Sequence, residues 1–254
     1  MKMTTWTDRV AAILFAAGLL MAWQLLSAAQ LISPLFFPSP WRTLGELWAQ
    51  AHDGRLWGPL AATGTRMLYG WLAASVSGVL LGAVIASSRT VRQMFQPLLE
   101  FLRPLPASAV IPVAILAFGL SDRMSTAVIA FGSIWPVLLA SVHGFGSVDV
   151  RLYEVAQVLR MGPIDRFWKI SLPSATPDIL AGARVGLAVA LILAVVTEMQ
   201  ASLPGLGQNI LMAQRSFRSA ELYGGVVVLG LIGFVASAIL QGIERRMLRW
   251  RDGP

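Results

Sequence analysis

The chain has 254 residues, of which 56% are hydrophobic and only 13% charged, a balance that places it with polytopic membrane proteins. It has no cysteine, which excludes disulfides, thiolate metal sites and a cysteine nucleophile. The net charge of +7 is divided among the ends of apolar runs, with no aromatic-interleaved basic surface, so it reads as membrane topology and not as nucleic-acid binding.

The first uncharged stretch, 10–41, is long enough to cross the hydrocarbon core as a helix, which takes about 17 to 25 residues. Ser27-Ala28-Ala29 resembles a small-residue cleavage site, but the apolar run before it exceeds the roughly 7 to 15 residues of a signal-peptide core, so a retained span is expected. Pro34, Pro38 and Pro40 then predict an extended outer segment, and 43–50 a short surface helix. The second span, 67–88, carries small residues at every fourth position: Gly70, Ala74, Gly78, Gly82 and Ala86. The third, 104–121, contains Pro104, Pro106 and Pro112, which kink it or leave part of it irregular. The fourth is 124–148. Its Ser141 and His143 are two apart and point to different helix faces, so His143 reads as a helix-end residue and not as a catalytic base.

Between the fourth span and the next, the charged segment 149–173 interrupts the apolar pattern. Leu152, Val155, Ala156 and Leu159 fall at helical spacing, while Arg151, Glu154, Gln157 and Arg160 occupy the other faces. After Gly162 the pattern restarts with Pro163 at a first helical position. Ile164, Phe167 and Trp168 then oppose Asp165, Arg166 and Lys169. Two short helices with a break, shaped for docking, are expected before the fifth span.

That span, 179–202, is apolar except for Arg184 and Glu198, and carries a second small-residue row, Gly182, Gly186, Ala190 and Ala194. Small residues let helix backbones approach in lipid, so the two rows predict close packing of the second and fifth spans. An acid within a span is by default a functional candidate. Glu198 therefore either lines a pathway or sits near the outer interface, and Arg184 either lines the inner mouth or snorkels. Asp178 reads as a helix N-terminal acid, and Gly205-Leu-Gly207 as a turn. The sixth span is 222–243.

The predicted architecture is all-α, with six transmembrane helices in a single domain over 1–254. With the N-terminus inside, thirteen of the 20 Lys and Arg fall in the cytoplasm, including those of 89–103, 149–173 and 245–251. Arg42, Arg55, Arg66, Arg123, Arg215 and Arg218 fall outside, so both termini and the docking segment are expected to be cytoplasmic. A phosphate-binding loop ending in Gly-Lys-Ser/Thr is excluded, because the only lysines, Lys2 and Lys169, follow Met1 and Trp168.

Glu154, Ala156, Ile170 and Leu172-Pro173 match the spacing E-A-A-x3-G-x9-I-x-L-P, and Phe37-Pro-Ser-Pro40 and the prolines of 97–112 have similar wording. On these motifs nearly the whole chain resembles permease subunits of ABC importers, in their nitrate/sulfonate/taurine branch. Val155 replaces the middle alanine, and Arg160 stands at the glycine position, so the helix break is expected two residues later, at Gly162. The resemblance implies a type I ABC importer permease fold in the bacterial inner membrane and a homodimer around one pathway. It also implies two cytoplasmic ATPase subunits carrying MgATP, and an external solute-binding protein. Glu154, Val155, Ala156, Leu159, Arg160, Gly162, Ile170, Leu172 and Pro173 are the implied docking residues, with no catalytic or metal-binding residue on this chain. A small anion such as nitrate, a sulfonate or taurine is the implied cargo, with thiamine-pyrimidine precursors or aromatic acids as the alternative. A secondary carrier would need matched broken helices at mid-membrane, and a membrane hydrolase a nucleophile and base; the sequence displays neither.

Overall fold

The computed structural model describes residues 6–29, 33, 35–102 and 104–249, and all regular structure among them is helical. Lys2, Pro34, Arg103 and Arg251, used above, lie outside these residues. Helix α1 (Trp6–Ala28) ends well before residue 41, and α2 (Pro40–His52) is longer than the surface helix expected over 43–50. Pro40 opens α2 where no N–H is needed, and the Ser39 hydroxyl accepts the Arg42 N–H at 3.3 Å. Trp23 donates its indole N–H to the Pro38 carbonyl at 3.0 Å and packs against Phe37 and Tyr223, which ties the end of α1 to the segment before α2.

Next come α3 (Trp57–Ala86) and the amphipathic α4 (Arg89–Leu102), then a 3-10 turn, Ala107–Val110, leading into α5 (Ile111–Phe118). The stretch 104–121 is thus not one kinked helix. The N–H groups that Pro104, Pro106 and Pro112 lack cannot sustain a ladder, and α5 alone, at eight residues, rises only about 12 Å. Its end is Gly119, whose φ of +67° suits glycine.

Helix α6 (Asp122–Gly146) starts at Ser121, whose hydroxyl accepts the Met124 N–H at 3.3 Å. Then follow α7 (Val150–Val158) and α8 (Pro163–Arg166), one π turn over Phe167–Ser171, α9 (Leu172–Ala201), α10 (Leu206–Arg215) and α11 (Ser219–Met247). The sequence pattern predicts a second docking helix separate from the fifth span. The structure instead makes Pro163–Ala201 one helix of 39 residues. Pro173 has no N–H for the Lys169 carbonyl, and the widened turn before it, in which the Leu172 N–H reaches back to the Phe167 carbonyl, accommodates the ring.

Among the described residues four helices are long and apolar enough to cross a membrane: α3, α6, the Pro163–Ala201 helix and α11; the bent pair of α4 with Ala107–Phe118 would make a fifth. Helix α6 lies between α3 and α9. A Cβ on Gly70 would stand 2.4 Å from Ile129, one on Gly78 3.1 Å from Val137, and one on Gly82 2.5 Å from Ser141. From the other side, a Cβ on Gly182 would meet the Pro136 carbonyl at 2.7 Å, and one on Gly186 the Ser133 carbonyl at 3.1 Å. The two small-residue rows are expected to pack on each other; in the structure the glycines of both rows pack on α6, those of α3 mainly against its side chains and those of α9 close to its Pro136 and Ser133 carbonyls. Helices α3 and α9 do meet, through the Trp71 indole N–H on the Ala183 carbonyl at 2.8 Å. Ala190 is fully buried in an apolar cluster with Met67, Ile129, Leu193 and Leu240.

Candidate functional site

The 149–173 segment lies at the N-terminal end of α9. Asp149 caps α7, its carboxylate accepting the Arg151 N–H at 2.9 Å. Of the predicted apolar stripe only Ala156 is buried; Leu152, Val155 and Leu159 are exposed, as are Val158, Ile164 and Trp168. Phe167 stacks on Phe145 with ring centres 5.8 Å apart, Tyr153 shares a hydrogen bond with Ser171 at 3.0 Å, and the Arg166 guanidinium lies 5.9 Å from the Tyr153 ring. These contacts hold the two short helices against the ends of α6 and α9. A ridge of aliphatic side chains is left facing outward, an uncommon arrangement unless something covers it. Glu154 stands exposed beside this ridge and enters no ion pair among the described residues, while Ile170, Leu172 and Pro173 are half-buried.

The break between the short helices differs from the expectation. Arg160, not Gly162, adopts the left-handed conformation, with φ +51°. The Met161 N–H bonds the Ala156 carbonyl at 2.9 Å and the Arg160 N–H the Gln157 carbonyl at 3.0 Å, the paired closure that usually places glycine where Arg160 stands. Gly162 precedes α8 with φ −65° and ψ 163°, a conformation open to any residue. The motif register is therefore kept, with arginine in the glycine position.

At the other end of α9, about 39 Å along the helix from Leu172 to Glu198, lies the second candidate. The Glu198 side chain is 0% exposed. One carboxylate oxygen accepts the Arg66 guanidinium at 2.9 Å; the other accepts the Thr63 hydroxyl at 3.0 Å and the Gly207 N–H at 2.9 Å. Arg66 also donates to the Pro204 carbonyl and to Asp122, both at 2.7 Å. Glu198 thus sits in a closed, fully bonded cluster. Arg184 pairs with Glu244 of α11. From the sequence, Arg66 is expected only at the outer edge of the second span, with no partner. Opposite charges at matching ends of two apolar stretches, Arg66 beside 67–88 and Glu198 within 179–202, were the available signal.

A groove between the Ala107–Val110 turn, α6 and α9 is walled by Ser108, Trp135, Pro136, Val189 and Ile192, and the buried Trp135 indole N–H has no acceptor among the described residues. Among the described residues no cluster of His, Asp and Glu is placed to hold a metal ion.

The family model described as binding-protein-dependent transport system inner membrane component matches residues 78–250. The chain is similar to the taurine transport system permease protein of Escherichia coli, at 32% identity over 92% of this chain and 87% of that protein. It is also similar to the putative aliphatic sulfonates transport permease protein of Bacillus subtilis, at 29% identity over 94% and 87%. The nitrate import permease protein of Leptolyngbya laminosa is 29% identical over 77% and 70%. In fold it resembles a chain of the MetNI methionine ABC transporter in inward-facing conformations, with TM-score 0.61 and 16% identity over 74% of this chain and 95% of that one. An amino acid ABC transporter crystallised with histidines gives TM-score 0.61 at 17% identity over 79% and 97%.

Proposed function

The chain belongs to the family of binding-protein-dependent transport inner-membrane components, as a multi-pass ABC transporter permease, and from this premise we propose that it is the importer subunit that forms the pathway for a small anion of the sulfonate, taurine or nitrate kind. Two copies enclose that pathway in the bacterial inner membrane. Two separate cytoplasmic ATPases hold MgATP, and an external solute-binding protein delivers the cargo. Counting α1 and the bent α4–α5 pair as spans gives six, with both termini and the 149–173 segment in the cytoplasm. The groove between the Ala107–Val110 turn, α6 and α9 is part of that pathway.

The observation that carries the coupling role is the outward ridge of Val155, Val158 and Leu159 on a short helix anchored through the buried Ala156. An ATPase groove covering that ridge moves α7, and the Tyr153–Ser171 hydrogen bond and the Arg166–Tyr153 contact pass the displacement to the continuous Pro163–Ala201 helix. Rigid-body motion of packed helices is the physical content. Glu154→Lys and Leu159→Asp test this. Each leaves the chain able to insert, but costs about 2 to 5 kcal/mol of docking if the contact is desolvated, against a few tenths for a solvated helix charge. Retention of ATPase binding and full transport in proteoliposomes by both variants would sink the proposal.

A further inference from the structure

Helix α10 starts without a cap of its own. Its N-cap position is Gly205, which has no side chain to offer, yet the first-turn N–H groups of Leu206 and Gly207 are both satisfied. The acceptors come from other helices: the Thr63 hydroxyl of α3 for Leu206 at 2.9 Å, and the Glu198 carboxylate of α9 for Gly207. A carboxylate here also meets the positive end of the α10 dipole. The two glycines make room for it, since a Cβ on Gly205 would stand 2.2 Å from the Glu198 carboxyl carbon and one on Gly207 2.5 Å from the Val195 carbonyl. Arg66 completes the set. Its guanidinium neutralises Glu198, holds the Pro204 carbonyl of the connecting turn, and reaches Asp122 in the first turn of α6.

We propose that Thr63, Arg66 and Glu198 form a clamp that caps α10 from outside its own sequence, so that α3, α6, α9 and α10 travel as one body through the transport cycle. Glu198 is then a positioning residue that never touches cargo. Both oxygens of this buried carboxylate are already hydrogen-bonded, and turning either toward a solute would break its bond to Arg66 or its bonds to Thr63 and the Gly207 N–H in a dry site. The glycine contacts that set α6 against α3 and α9 extend the same body along the bundle.

The part of this inference that concerns movement rests on the ABC permease reading, so two measurements keep the questions apart. In the isolated chain, amide exchange of Leu206 and Gly207 is expected to quicken about tenfold or more in Glu198→Ala, with α6 amides unchanged. Glu198→Gln, which keeps a carbonyl acceptor for Gly207, is expected to restore most of the protection. Thr63→Val is expected to expose the Leu206 amide alone, and serves if Glu198→Ala does not fold. In the complex with its ATPase, spin labels at Thr65→Cys and Asn209→Cys, diluted with unlabelled chain, are expected to report one narrow distance with and without ATP. Unchanged exchange in the Glu198 and Thr63 variants, or a label distance that shifts with ATP, overturns the clamp. If no ATPase complex forms, the permease reading fails while the exchange arm still decides the cap.

Discussion

The Met161 N–H closes on the Ala156 carbonyl at 2.9 Å, and this bond forces Arg160, between them, into the left-handed region at φ +51°. A side chain with a Cβ is strained there, at a cost of order 1 kcal/mol or more, partly offset in glycine by greater unfolded-state freedom. Arg160→Gly is therefore expected to tighten the turn by about 1 kcal/mol or less, a slowing of Met161 amide exchange of up to about fivefold. Faster exchange in the variant would mean that the arginine side chain itself holds the turn.

Gly82 and Gly64 lie on the same helix in opposite situations. A methyl on Gly82 would press on the Ser141 Cβ, whereas nothing lies within 4 Å of one on Gly64. Gly82→Ala is expected to destabilise the detergent-solubilised chain by about 1 to 3 kcal/mol. Gly64→Ala should stabilise it by roughly 0.5 to 1 kcal/mol, as alanine replaces glycine within a helix. Equal melting of the two variants would contradict the close α3–α6 approach.

Topology is open to direct labelling because the chain has no cysteine of its own. Gln157 and Ser216 are both exposed. With an impermeant thiol reagent on intact cells, Ser216→Cys is expected to react and Gln157→Cys to react only after permeabilisation. The reverse pattern would invert the orientation and remove the 149–173 segment from the ATPase.

The ion pair of Arg184 with Glu244 ties α9 to α11, but the side chains are 40% and 24% exposed. Solvent screens such a pair, so a double-mutant cycle over Arg184→Gln and Glu244→Gln should give a coupling below about 1 kcal/mol. A coupling of several kcal/mol would indicate a desolvated pair, and with it closer packing of α9 on α11 in the assembled protein.

Sequence alone was enough for whatever depends on local composition and spacing. The apolar runs that became α3, α6, α9 and α11 were legible because hydropathy and helical period are written residue by residue, and the spacing of Glu154, Ala156, Ile170 and Leu172-Pro173 because it resembles a family motif, although the helix break was expected at Gly162. The tertiary structure decided which surfaces meet. The small-residue rows announced close packing but carried no address, and only the fold shows that the glycines of both rows face α6. The break at Arg160 follows from a hydrogen-bond closure that overrides the residue's own preference. The partnership of Arg66 with Glu198 joins residues 132 apart. Each looks alone like an unfavourable charge at the edge of a span, and only their burial together, with Thr63 and the Gly207 N–H, turns two desolvation costs into a bonded cluster.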